Sequence, residues 1–395
     1  MEHGPRPVED LVTTAAFWKG RRVFVTGHTG FKGAWLTLWL RSLGAEVAGY
    51  ALKPPTTPSL FEVLGLGDRL RHVVADVRDR DRLAEEMRAA NPSIVFHLAA
   101  QAIVRQGYVD PHGTYETNVM GTVNVLEAAR HCDSVDAVVV VTSDKCYENR
   151  EGGQAFREDD PLGGRDPYSS SKGCAELITA AYAASYPSFP DLASVRAGNV
   201  IGGGDWAPDR IIPDCVRAMS VGMPLQVRNP RAVRPWQHVL EPLSGYLWLA
   251  ASLAAAGGDR YSGAWNFGPG EDDAEKEVRW VVEELQREWG SGEWVTPSQQ
   301  DDAPYEAHLL ALDASKATRE LQWRPVWDAR KAVQCTASWY RGYYDAVTGS
   351  AADRAIVGEC GKLTLDQLHA YEADALSAGL AWARGGLGGE ATHGG

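Results

Sequence analysis

The chain has 395 residues, 44% of them hydrophobic, enough for one large or two ordinary domains around a sizeable core. Its formal net charge of −13, from 52 acidic against 39 basic residues, opposes non-specific binding to nucleic acid or anionic lipid, so an anionic ligand must meet a local basic pocket. Six cysteines (132, 146, 174, 215, 335 and 360) form no C-x-x-C pair or His–Cys cluster, and no stretch is long and apolar enough to span a membrane; zinc, a disulfide framework, secretion and membrane insertion are all disfavoured, and a cytoplasmic protein is expected.

After an N-terminal lead over residues 1–20, Arg22 to Thr26 reads as a buried parallel strand ending in glycines. An apolar helix is predicted over Ala34 to Leu43. Further strands are predicted at Ala45–Tyr50, His72–Ala75, Ser93–Leu98, Ala137–Thr142 and Ala193–Val200, with helices at Thr117–Arg130 and Ser169–Ser185. Strand and helix alternate, which predicts an α/β protein with a doubly wound parallel sheet. Beyond about residue 200 the alternation weakens and Gly, Pro and Trp accumulate in GGGDWAPDR, RNPRAVRPWQH and NFGPGEDD, as in a substrate-binding subdomain. The ending ARGGLGGEATHGG reads as a flexible tail.

Four motifs carry chemistry. GHTGFKG sets Gly27, Gly30 and Gly33 between a strand and a helix, where bare backbone can approach a pyrophosphate at the helix N-terminus. Asp76, ending the third strand, can accept from an adenine amino group, whereas the second strand ends at Lys53 with no acid for a ribose 2′-hydroxyl; NADP is therefore not excluded. Tyr168-Ser-Ser-Ser-Lys172 puts phenol and ammonium one helical turn apart, and a neighbouring cation brings a tyrosine toward use as a base. Thr142-Ser143-Asp144-Lys145 follows a buried strand at the sheet's carboxyl edge: Ser143 can bond a substrate hydroxyl, Asp144 can offer a proton, and Lys145 is a base if burial lowers its pKa. In the second half Asn199, Trp206, Arg210, Arg228, Arg234, Trp236 and His238 supply cations and aromatic faces for a nucleotide diphosphate.

Together GHTGFKG, HLAAQ (97–101), YSSSK and RAGNVIGGGDW (196–206) resemble the extended short-chain dehydrogenase/reductases that act on nucleotide sugars, over roughly residues 20 to 345. TSDKCYEN, DPYSSSKGCAEL and RPWQHVLEPLSGY are similar to the CDP-glucose 4,6-dehydratase branch. The resemblance implies a Rossmann-type domain over 21–200, with segments near 236–268 returning to it, a mixed α/β subdomain over 201–350 and a C-terminal extension over 351–395. It implies an NAD-dependent hydro-lyase with tightly bound NAD, and a homodimer. The cofactor surface would comprise Gly27, Thr29, Gly30, Phe31, Lys32, Gly33, Asp76, Val77, Leu98, Ala99, Ala100, Asn118, Thr142, Tyr168 and Lys172. Gln101, Arg105, Asn199, Arg210, Arg234 and Trp236 would bind the nucleotide sugar, and Ser143, Asp144, Lys145, Tyr168 and Lys172 would carry the chemistry. Related dTDP-glucose dehydratases have Asp-Glu where this chain has Asp144-Lys145, which leaves Lys145 as the candidate base at carbon 5. A dehydratase of another nucleotide sugar, a 4-epimerase and a catalytically silent cofactor-sensing protein are the competing readings. An epimerase needs no acid at Asp144, and a silent protein needs neither Tyr168 nor Lys172.

Overall fold

The computed structural model describes residues 14–149, 153–256, 260–297, 309–349 and 353–384, so most of the N-terminal lead and the glycine-rich ending from residue 385 lie outside the described residues. Seven parallel strands form the main sheet in the order β10-β6-β5-β4-β1-β2-β3. These are β1 (Arg22–Thr26), β2 (Glu46–Ala51), β3 (Arg71–Val74), β4 (Ile94–His97), β5 (Ala137–Val141), β6 (Asp191–Ala197) and β10 (Gly263–Phe267). Two short parallel pairs lie apart from it: β7 (Asn199–Ile201) with β9 (Trp236–His238), and β8 (Leu225–Gln226) with β11 (Trp294–Val295). Every residue of β4 and β5 is buried, because helices cover both faces and leave no polar side for the strands to present.

From β1 the chain steps outward through β2 and β3, then returns to lay β4 on the other side of β1. That reversal opens a crevice at the carboxyl ends of β1 and β4, the usual ligand position of such sheets. Three predicted segments differ in detail. The strand expected over 193–200 breaks at Gly198, where an added Cβ would lie 2.2 Å from Pro235 Cγ; β6 stays in the main sheet and β7 leaves to pair with β9. The helix expected from Thr117 begins as a wide π-type turn, Glu116–Met120, before the regular helix Gly121–Arg130. The C-terminal extension, down to Arg384, includes the helix Asp353–Ser377, which packs against the helices Ala329–Gly349 and Leu60–Val63. Trp39 Nε1 donates to Glu372 Oε1 at 2.8 Å, and Tyr371 OH to the buried Glu241 Oε2 at 2.8 Å.

Candidate active site

A cavity of about 780 Å³ opens at that crevice, and three walls meet in it. The first is backbone. Gly27, at φ +75°, follows β1 so closely that a Cβ would sit 2.6 Å from Ala99 N, and a Cβ on Gly33 would sit 2.1 Å from Gly27 O. The helix Phe31–Ser42 then starts at Gly30 with no side-chain cap, leaving its first N–H groups to a ligand. This bare cradle fits a dinucleotide pyrophosphate. Thr29 Oγ1 donates to Leu52 O at 2.9 Å and ties the loop to β2. Val77, Leu98, Ala99, Ala100 and Lys53 line the same side. Asp76 lines it too, with its carboxylate engaged by Arg78: the backbone N at 2.9 Å, Nε at 3.0 Å and Nη2 at 2.7 Å. Burial works against the Asp76 charge, but the Arg78 bonds hold its pKa below the ordinary carboxylate value. Asn118 departs from expectation: it does not line the cavity. Its Oδ1 accepts from Gln101 N at 2.8 Å, and its Nδ2 donates to Gln101 O at 3.0 Å and Ser171 Oγ at 2.9 Å, so it braces the segment behind the wall.

The second wall is a helix and a turn. The helix Pro167–Ser185 starts from Asp166, whose side chain accepts from Ser169 N at 2.9 Å, with Pro167 preset for the first turn. One turn separates Tyr168 from Lys172, both buried and both on the cavity. Burial raises the Tyr168 phenol to about 12; Ser143 and Arg210 pull it down, and Asp144 and Asp166 push it up. Burial lowers the Lys172 ammonium to about 8, opposed by Glu176 and Cys146, and its Nζ donates to Val141 O at 3.1 Å. After β5, Ser143 Oγ accepts from Lys145 N at 3.2 Å and donates to Asp144 Oδ1 at 2.9 Å. Lys145 Nζ stands 3.5 Å from the same oxygen. Asp144 Oδ2 is buried and has no partner among the described residues, which leaves it available to a substrate hydroxyl. Lys32 joins this group. Burial, then Arg210, lowers its ammonium to about 7, with Asp144 opposing and Lys172 and Lys145 adding to the fall. The sequence alone implies only a cofactor contact for Lys32, its single signal being a lysine inside a glycine loop.

The third wall comes mostly from the second half, joined by Gln101 and Arg105 from the first. Arg210 Nη1 binds Asp205 Oδ2 at 2.8 Å, and that carboxylate raises the guanidinium pKa. Arg105 and Arg228 converge on Asp209 Oδ1 at 3.6 and 3.2 Å. Arg234 is buried, with Nη1 donating to Val233 O at 2.8 Å. Trp236 Nε1 donates to Lys276 O at 3.1 Å, and Gln101 Nε2 to Thr114 Oγ1 at 2.9 Å. All of these arginines, with Gln101, Asn199, Trp206 and Trp236, line the cavity. His238 does not. It is fully buried between Trp35 and Trp327, and burial lowers it to about 3, so it is a neutral core residue and no anion ligand. Among the described residues no helix is long and apolar enough to cross a membrane.

Residues 24–336 match the family model described as GDP-mannose 4,6 dehydratase. The CDP-glucose 4,6-dehydratase of Salmonella typhimurium is 49% identical over 335 residues, 83% of this chain and 92% of its own. A dTDP-glucose 4,6-dehydratase of Streptomyces griseus is 29% identical over 326 residues, 80% of this chain and 93% of its own. Among solved structures, the dTDP-glucose 4,6-dehydratase of Streptomyces venezuelae with NAD and TYD bound superposes with a TM-score of 0.69 at 26% identity, covering 81% of this chain and 97% of that one. The UDP-glucose 4-epimerase of Thermus thermophilus in complex with NAD gives 0.71 at 25% identity, covering 81% and 99%. A match that runs from β1 to the helix Ala329–Gly349 takes in the whole cavity, and by it this chain belongs to the GDP-mannose 4,6-dehydratase family of the extended short-chain dehydrogenase/reductases.

Proposed function

We propose that the protein converts CDP-glucose to CDP-4-keto-6-deoxyglucose with loss of water, as an NAD-dependent hydro-lyase. The observation that carries this reading is the Asp144–Lys145 pair on the same cavity as Tyr168 and Lys172, in a chain 49% identical to a CDP-glucose 4,6-dehydratase. When bound, NAD supplies the hydride acceptor that is restored at the end of the cycle, and its cationic ring favours the phenolate. Tyr168 takes the proton of the sugar 4-hydroxyl, while Ser143 bonds that oxygen and Lys172 balances the phenolate charge. The resulting 4-ketone acidifies the hydrogen on carbon 5. Lys145 is the candidate base for that proton, and Asp144 protonates the departing 6-hydroxyl so that water leaves. Arg210, Arg228, Arg234 and Arg105 hold the diphosphate and nucleotide. The competing 4-epimerase reading leaves Asp144 without a task.

Incubation with CDP-, dTDP-, UDP- and GDP-glucose, scored by the alkali-sensitive absorbance of the 4-keto product, tests the assignment. Product is expected with CDP-glucose; turnover confined to another nucleotide overturns it. The same reading makes the enzyme a cytoplasmic homodimer. Six free cysteines support the compartment. Val109, Met120 and Leu177, exposed at 77%, 51% and 59% on elements that pack together, support a subunit contact; a Leu177→Glu variant is expected to sediment as a monomer, and an unchanged dimer would overturn this contact.

A further inference from the structure

We propose that Glu176 is a positioning residue for the redox step: its carboxylate ties the helix of Tyr168 and Lys172 to the ends of β5 and β6, and supplies the negative charge that Lys172 faces. This rests on the reading of Tyr168 and Lys172 as the redox pair. Tyr168, Lys172 and Glu176 stand at i, i+4 and i+8 on one face of the helix Pro167–Ser185. Glu176 is buried and accepts three hydrogen bonds: Thr142 Oγ1 on Oε1, and Ser194 Oγ at 2.6 Å and Arg196 Nη2 at 2.7 Å on Oε2. Thr142 directly precedes the Ser143–Asp144 turn, and Lys172 Nζ is held by the neighbouring Val141 O. One carboxylate therefore fixes the redox helix against the strand end that carries the acid. Arg196 passes the clamp on, with Nη1 donating to Tyr147 OH at 2.6 Å and Glu158 O at 3.1 Å.

The dehydration chemistry itself gives this buried ion pair no task, and a purely structural pair is replaceable by apolar side chains of similar size. The charge has a task if Lys172 must stay an ammonium while desolvated. The charged and titratable groups around Glu176 and Lys172 are Arg196 on β6, Cys146 on the turn after β5, His97 on β4 and Lys32 on the helix Phe31–Ser42, with Glu158 and Lys316 behind Arg196. Burial depresses Lys172 to about 8, and Glu176 is the largest influence against that fall. Without Glu176 the ammonium loses its proton at lower pH, and the phenolate loses its counter-charge.

Glu176→Gln alone strands Arg196 as a buried charge and can fail to fold, so it is paired with Glu176→Gln/Arg196→Met, which removes both charges. Competitive acetic anhydride labelling of Lys172 across pH, read by mass spectrometry, reports the free amine directly. Its midpoint is expected near about 8 in the unsubstituted protein and clearly lower in the paired variant. A shift of one pH unit in the alkaline limb of bound-NAD reduction by CDP-glucose makes that step roughly tenfold slower above the midpoint. Glu176→Asp keeps the charge and is expected to keep the midpoint. A folded paired variant with the unsubstituted midpoint and pH profile overturns the inference, because Glu176 would then only neutralise Arg196; so does a Glu176→Asp midpoint as low as that of the paired variant. If the unsubstituted protein reduces no NAD with any nucleotide glucose, the functional reading fails instead, and the labelling still reports on Glu176.

Discussion

The glycine wall of the cavity and its arginine wall are made of different material. The first is backbone: Gly27 and Gly33 approach Ala99 and Gly27 so closely that a methyl group would overlap main-chain atoms, and Gly30 leaves a helix start uncapped. The second is side chain: Arg210 and Arg228 reach in from loops of the second half and Arg105 from the short helix Val104–Val109, each already paired with Asp205 or Asp209. Gly27 and Gly33 tolerate no side chain, because no rotamer can move the overlapping backbone atoms. A wall of partly exposed, carboxylate-paired arginines adjusts, since surface ion pairs contribute only about 0–1 kcal/mol. The helix of Tyr168 and Lys172 and the Ser143–Lys145 turn lie between them, fixed by buried hydrogen bonds.

The largest effect is expected at the backbone wall. Gly33→Ala places a Cβ 2.1 Å from Gly27 O, and the purified variant should carry almost no NAD, measured as nucleotide released on acid denaturation; a normal cofactor load would break the contrast between the walls. Next come the residues of the chemistry. Tyr168→Phe should slow reduction of bound NAD by CDP-glucose by roughly 10²–10⁴-fold, the usual worth of a general base. Asp144→Asn sharpens the division of labour. It should still allow NAD reduction in a single turnover yet yield little 4-keto-6-deoxy product, and unimpaired product would remove Asp144 from the dehydration step. The smallest effect belongs to the arginine wall: Asp209→Asn frees Arg105 and Arg228 and should change KM for CDP-glucose by no more than about thirtyfold, from about 0–1 kcal/mol for each of the two exposed pairs. A larger change would mean that this wall is as rigid as the glycine one.

Several parts of this contrast are legible in the chain order alone. GHTGFKG between a β-branched run and an apolar helix announces the backbone wall, because only glycine lets main chain approach main chain so closely. Tyr168 and Lys172 are equally visible, since i,i+4 spacing fixes their relation within one helix whatever surrounds it. Other features were hidden. His238 and Arg234 lie four residues apart in the same basic, aromatic stretch, yet one is a neutral histidine between two tryptophans and the other lines the cavity. Asn118 looked like a cofactor contact and is spent on Gln101 and Ser171. The break at Gly198, which sends β7 away from β6, depends on Pro235 lying beside it.

Local pattern is enough to specify the alternating α/β plan, the glycine loop, the Tyr168–Lys172 pair and the Ser143–Asp144–Lys145 turn, because the geometry of each follows from strand, turn or helix spacing. Tertiary structure alone decided that Lys32 shares its surroundings with Asp144, Lys145, Lys172 and Arg210, and that Glu176 meets Thr142, Ser194 and Arg196. Those meetings join residues up to 178 positions apart, Lys32 to Arg210. Sheet order and burial create them, and with them the low-dielectric setting that tunes the amines; no local spacing encodes either.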